Sequence, residues 1–228
     1  MDEKTRRFLP AWDPVVRFLH WWNAAAMAAM VALGIVFKVC MSTEPGGGPG
    51  PASKLVSLHA AVGLLLGAGV MARVVWLFIG SETARLGDML PFSPRNRKVF
   101  ADTVRFYLRG LRGEPPLYLA HNSFAGAAYI GFFVLAAVQV ATGSSMLGLP
   151  GDLRHKSLAF YVHGVVFLLL LLYIAVHLAA VFIHEITEKR GIVSAMIHGE
   201  KTFTDDESEA VIEAHPFVRK GEFDERED

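Results

Sequence analysis

The sequence predicts an all-α integral membrane protein, a four-transmembrane-helix bundle, and two observations carry that prediction. The first is where the apolar residues fall. The chain has 228 residues, 53% of them hydrophobic, and they gather in four blocks at about 21–41, 55–80, 122–148 and 157–183. Each block is long enough to cross roughly 30 Å of hydrocarbon at about 1.5 Å per residue. The second is charge position. Lys and Arg number 22 against 22 acidic residues, so net charge is uninformative while its distribution is not. With the N-terminus inside, the inner segments hold Lys4, Arg6, Arg7 and Arg17, then Arg85, Arg95, Arg97, Lys98, Arg105, Arg109 and Arg112, then Lys189 and Arg190. The outer loops hold only Lys38, Lys54, Arg154 and Lys156. By the positive-inside rule both termini are cytoplasmic, and an even number of spans agrees with that.

Taken in order, the first block follows a charged stretch and opens on Trp21 and Trp22, a pair suited to the membrane interface. A cleaved signal peptide is the competing reading, because "AAAMAAM" offers small residues, but the apolar run has the length of a full span. Cys40 is the single cysteine, so no disulfide or thiolate metal site forms within the chain, and it is given no role. The connection "STEPGGGPGPASK" is Gly/Pro-rich and predicts an irregular outer loop. Between the second and third blocks lies a long basic inner connection, about 81–121. Within it "NRKVFADTVRFYLRGLRG" interleaves Val99, Val104, Phe106, Leu108 and Leu111 with arginines and ends in Gly, which predicts a helix lying on the cytoplasmic surface against lipid headgroups. The outer connection "LGLPGDLRHK" is short. Residues 1–200 therefore form the transmembrane domain, and 201–228, acidic and with little periodic apolar content, are expected to be a disordered cytoplasmic tail. No nucleic-acid partner is expected.

Histidines stand inside the apolar blocks, where an ionisable group must find a partner or cost several kcal/mol (~2–7). His163 and His177 are 14 residues apart, about 21 Å along a helix axis and only some 40° around it, so they share a face near opposite ends of the fourth span. His20 begins the first span and His59 the second. Because consecutive spans run in opposite directions, His20 matches His177 in depth and His59 matches His163, giving one cross-helix pair per leaflet. Two imidazoles without carboxylate or thiolate are a poor cage for a bare ion, whereas haem iron needs only two axial ligands. Ala60, Ala61, Gly63 and Gly164 leave room for a flat apolar group. The pattern predicts two non-covalent haems b, with the four histidines as iron ligands. Arg17, one turn before His20, and Arg73, 14 residues after His59, are candidate partners for haem propionates. His184 and Glu185 read as surface charge or as a proton path to a quinone site; His121, His155, His198 and His215 read as ordinary polar residues.

Four stretches, "DPVVRFLHWWNAAAMAAMVALGI", "LHAAVGLLLGAGVMARVVWLFIG", "HNSFAGAAYIGFFVLAAVQVATG" and "VHGVVFLLLLLYIAVHLAAVFIHEITEKRGIVSAMIHGEK", together resemble the di-haem b-type cytochrome subunit of membrane-bound nickel-iron hydrogenases, within the bacterial cytochrome b561 superfamily. The resemblance implies a multi-pass protein of the bacterial inner membrane that takes electrons from a periplasmic redox partner, such as the hydrogenase small subunit, and passes them through two haems to the quinone pool. It carries the family ligands onto His20, His59, His163 and His177. The short connection between the third and fourth spans is a departure that leaves less surface for a large donor, so a c-type cytochrome is an alternative partner. Three other readings compete: direct exchange with superoxide or a small substrate, a haem-free proton-coupled transporter, and a structural anchor. The spans contain no Asp or Glu before Glu185, which weighs against a proton relay.

Overall fold

The computed structural model describes residues 6–43 and 51–220. Most of the Gly/Pro-rich outer connection, the side chain of Cys40 and residues 221–228 lie outside the described residues. The elements run β1 (Arg6–Pro10), α1 (Pro14–Thr43), α2 (Pro51–Ile79), α3 (Leu86–Met89), α4 (Pro94–Leu108), α5 (Ser123–Ser145), α6 (Gly151–Lys156), α7 (Leu158–Glu188), α8 (Ile192–His198), β2 (Glu200–Thr204) and α9 (Asp205–Ala214). Four of them, α1, α2, α5 and α7, contain segments long and apolar enough to cross a membrane, at Pro14–Val36, Lys54–Ile79, Ser123–Ser145 and Leu158–Glu188. Their apolar side chains point outward in number: Phe78, Leu168, Leu172 and Phe182 are each at least 60% exposed. In water that surface would drive association; in hydrocarbon it is the ordinary exterior.

The helices overrun the apolar blocks for local reasons. At the start of α1, Asp13 accepts the backbone N–H of Val16 at 2.8 Å and Pro14 takes the first helical position, so the helix begins well before Trp21. Asn122 accepts Phe124 N–H at 2.9 Å and opens α5. At its other end, α7 stops where Lys189 and Gly191 take left-handed backbone conformations, φ 54° and 66°.

The chain divides into two compact units. Among the described residues the first holds 6–17, 76–128 and 177–220. There β1 and β2 pair antiparallel, with Phe8 opposite Thr202 and Leu9 opposite Lys201. Leu9, Leu119, Phe203, Val211, Ile212 and Val218 form its buried core. Residues 201–220, expected to be a disordered tail, are thus folded, and the expectation is corrected. The acidic residues that suggested disorder have structural partners. Thr204 and Glu207 form a capping box at the start of α9, Glu207 accepts from Arg190 at 2.8 Å, and Asp205 pairs with Arg7 at 3.0 Å.

In the long connection, Ser93 caps α4 by accepting Asn96 N–H at 3.1 Å, with Pro94 at the first helical position. The helix ends at Leu108, short of the expected Gly113, because Gly110 and Leu111 turn left-handed. Its buried face is Asn96, Val99, Thr103 and Phe106, a helical spacing packed against protein, while Leu108 is 82% exposed. Three carbonyls, those of Gly87, Asp88 and Leu90, accept from the Asn96 amide. α4 is therefore held into the unit by a buried polar side chain as well as by apolar burial.

The second unit holds residues 18–75 and 129–176, the middle stretches of the long helices with α6. α1 and α2 meet closely: Trp22 donates to the Leu65 carbonyl at 3.1 Å, and a Cβ at Gly69 would lie 2.4 Å from Asn23 Oδ1. Phe132 and Tyr173 stack at 5.2 Å across α5 and α7.

Candidate functional site

Inside the second unit His59 of α2 and His163 of α7 face each other, ring centroids 6.2 Å apart and planes at 65°. α5 supplies the seat for the second ring. Thr142 Oγ1 lies 3.0 Å from His163 Nδ1, and Gly143 presents bare backbone to it. A Cβ there would come within 3.1 Å of His163 Cε1, so the absence of one lets the imidazole settle against the helix. His59 also lines an apolar cavity, part of it open to the outside, walled by Met27, Met30, Leu66, Phe167 and Leu170, with Gln139 beside it. His59 Nδ1 and Gln139 Oε1 are buried there with no hydrogen-bond partner among the described residues.

These observations test which group the residues fit. A separation of 6.2 Å is of the size that one metal atom bonded to both rings takes up, with bonds of about 2 Å on each side. Among the described residues no cluster of three or more His, Cys, Asp or Glu is placed to hold a bare ion. Two imidazoles beside apolar walls suit a metal that brings its own equatorial ligands and a large apolar face, which is haem.

Of the other predicted ligands, His20 belongs to the second unit and packs edge-on against Trp21 at 5.4 Å, and His177 belongs to the first, half-buried on α7. Arg73 is only 2% exposed, its guanidinium 5.9 Å from the centre of the Tyr129 ring, so it does not snorkel. Arg17 donates to the Ile197 carbonyl, and its buried Nε has no partner among the described residues.

His184 is not surface charge: it is 8% exposed. Its Nδ1 donates to Glu188 at 2.6 Å and its Nε2 meets the Tyr107 hydroxyl at 2.5 Å. The partner expected from adjacency, Glu185, instead caps α8 by accepting Val193 N–H at 3.0 Å. Glu188 also accepts from Tyr118 at 2.8 Å and from Arg190 at 3.3 Å. Burial, then the neighbouring Glu188 charge, pushes the Tyr118 phenol well above its usual range. Lys201 is 1% exposed, with Nζ 4.2 Å from the centre of the Tyr118 ring. Burial pulls its ammonium down to about 8, against the pull of Glu188. His121 and His215, read as ordinary polar residues, converge on Asp88 at 3.3 and 4.0 Å.

Sequence reading missed Thr142 and Gly143. The available signal was the scarcity of polar side chains in α5, where Gln139 and Thr142 interrupt an apolar run one turn apart.

A bundle of membrane-length helices with two interior imidazoles paired beside an apolar cavity defines the class of membrane proteins that carry haem between helices. The family model described as prokaryotic cytochrome b561 matches residues 11–199, and the chain belongs to that family. Among curated relatives, a probable Ni/Fe-hydrogenase B-type cytochrome subunit of Bradyrhizobium diazoefficiens is 25% identical, covering 85% of this chain and 86% of the relative. Proteins of the same name from Rhodobacter capsulatus (25% identical, 90% and 86% covered) and Azotobacter vinelandii (26%, 90% and 94%) are similar over as much of their length. No solved structure matches the chain. The expected resemblance holds, and transmembrane electron transfer is the function the family implies.

Proposed function

We propose that this chain holds two haems b, with His20, His59, His163 and His177 as the iron ligands, and passes electrons between a periplasmic redox partner and the quinone pool of a bacterial plasma membrane, both termini being cytoplasmic. The observation that carries the proposal is the His59–His163 pair, 6.2 Å between ring centres beside an apolar cavity. The relatives' names favour a nickel-iron hydrogenase over a c-type cytochrome as the donor.

When bound, haem supplies one-electron iron chemistry; the protein supplies binding, orientation and electrostatics. Met27, Met30, Leu66, Phe167 and Leu170 give one site apolar walls, which lower the dielectric around the ligands. Arg73, and Arg17 through its unbonded Nε, are the candidate propionate partners. At the far end of α7 the chain Glu188–His184–Tyr107 replaces the expected His184–Glu185 pair as the proton path to quinone. Its three groups are already within hydrogen-bond reach of one another.

A reduced-minus-oxidised visible spectrum of detergent-purified protein, with a pyridine haemochrome assay, tests this. About two haems b per chain are expected. Colourless protein from haem-replete cells would reject the proposal in favour of a haem-free transporter or anchor.

A further inference from the structure

Thr142 stands on α5, a helix to which sequence reading assigned no site residue. Its Oγ1 lies 2.7 Å from the Val138 carbonyl, 3.1 Å from that of Gln139 and 3.0 Å from His163 Nδ1. A hydroxyl has a single proton to give. In a helix that proton returns to the carbonyl one turn back, and the 2.7 Å contact to Val138 is the shortest of the three. The hydroxyl then meets His163 through a lone pair, so Nδ1 must carry the hydrogen. Nδ1 is thus the protonated nitrogen of the neutral tautomer, in which Nε2 holds the one lone pair. Gly143 lets the ring approach close enough for the contact to form. His59 differs: its Nδ1 is buried without a partner among the described residues.

We propose that Thr142 is a positioning residue for His163, fixing its tautomer and strengthening Nε2 as a donor, so that the haem of this pair is ligated unequally and its midpoint potential is lowered. An imidazole whose Nδ1–H is hydrogen-bonded gains imidazolate character and favours the more highly charged metal. The couple concerned is one electron between ferric and ferrous iron, and the Nδ1 proton stays on the ring in both states. The inference rests on the haem reading of the pair.

The test is an optical redox titration of purified full-length protein as wild type, Thr142→Val and Thr142→Ser. Valine keeps the shape and removes the hydroxyl; serine keeps the hydroxyl and removes the methyl. Expected for Thr142→Val are both haems retained, one potential raised by about a tenfold change in the ferric/ferrous ratio, ~59 mV for one electron, and the other unmoved. Thr142→Ser should match wild type. Loss of one haem from the valine variant alone also supports the role, since only the hydroxyl distinguishes it from wild type in that respect. Valine and serine variants that behave alike, both normal or both altered, overturn it. Wild-type protein without haem fails at the earlier step and rejects the haem reading itself.

Discussion

In the first unit a buried carboxylate, Glu188, accepts from Tyr118, Arg190 and His184, whereas in the second the His59 ring nitrogen and the Gln139 amide oxygen are buried beside an apolar cavity and bond to nothing among the described residues. Both arrangements put polar atoms out of reach of water, which costs about 1–3 kcal/mol for each one left unmade. The network around Glu188 meets that cost from within the chain. The cavity does not, which is why His59 is proposed to belong to a binding site and not to the architecture. The difference teaches which buried polar atoms are architecture and which are a site.

The strongest way to break the comparison is to exchange the roles. His59→Ala should halve the haem recovered per chain in a pyridine haemochrome assay, while His184→Ala should leave the haem count unchanged. Equal loss from both would show that His184 belongs to a ligand set. Next in size, Glu188→Ala strands Arg190 and His184 inside the first unit, a loss of about 3–5 kcal/mol in unfolding free energy measured in detergent. Gln139→Leu, which replaces an unbonded amide by an apolar side chain, should cost far less.

Lys201 gives a pH-dependent test. Its folded value is about 8 against an ordinary 10.5, so between those pH values the unfolded chain holds a proton the folded chain has released, and stability rises with pH across that window. At lower pH the cost of charging the buried amine is fully present. Relative to Lys201→Met, the wild type should therefore gain about 3 kcal/mol on going from about pH 7 to about pH 11. The reference variant cancels the opposite contribution of Tyr118, whose raised value weakens the fold once unfolded tyrosine ionises. The smallest effect is Thr204→Ala, which opens the capping box of α9 and should cost about 1 kcal/mol, read as a small loss in thermal midpoint.

Sequence alone located the four membrane-length helices, because an apolar run of that length has few other uses, and it matched His59 with His163 because each stands near the start of a span, the second and the fourth, that runs in the same direction. Three features escaped it for identifiable reasons. His184 was paired with its chain neighbour Glu185, although side chains that meet on a helix are three or four apart, and Glu188 sits at that spacing. The segment after residue 200 looked too acidic to fold; its burial alternates through Lys201 and Phe203 only because β1 lies opposite, and that register is invisible without the partner strand. Thr142 offered only the weak signal of a polar residue in an apolar run, since a helical threonine ordinarily bonds its own backbone, and what distinguishes this one is a ring on another helix.

The pairing of β1 with β2 has a further consequence, in the order of events during synthesis. Arg6–Pro10 leaves the ribosome well ahead of its partner Glu200–Thr204, which follows only after about 190 more residues have been made, on the order of 10–40 s at roughly 5–20 residues per second. Throughout that interval Leu9, wholly buried in the finished protein, has neither ladder nor core to enter. Closing the ladder is therefore a late step of maturation, and a chain that stalls before β2 leaves an open strand that quality control can recognise.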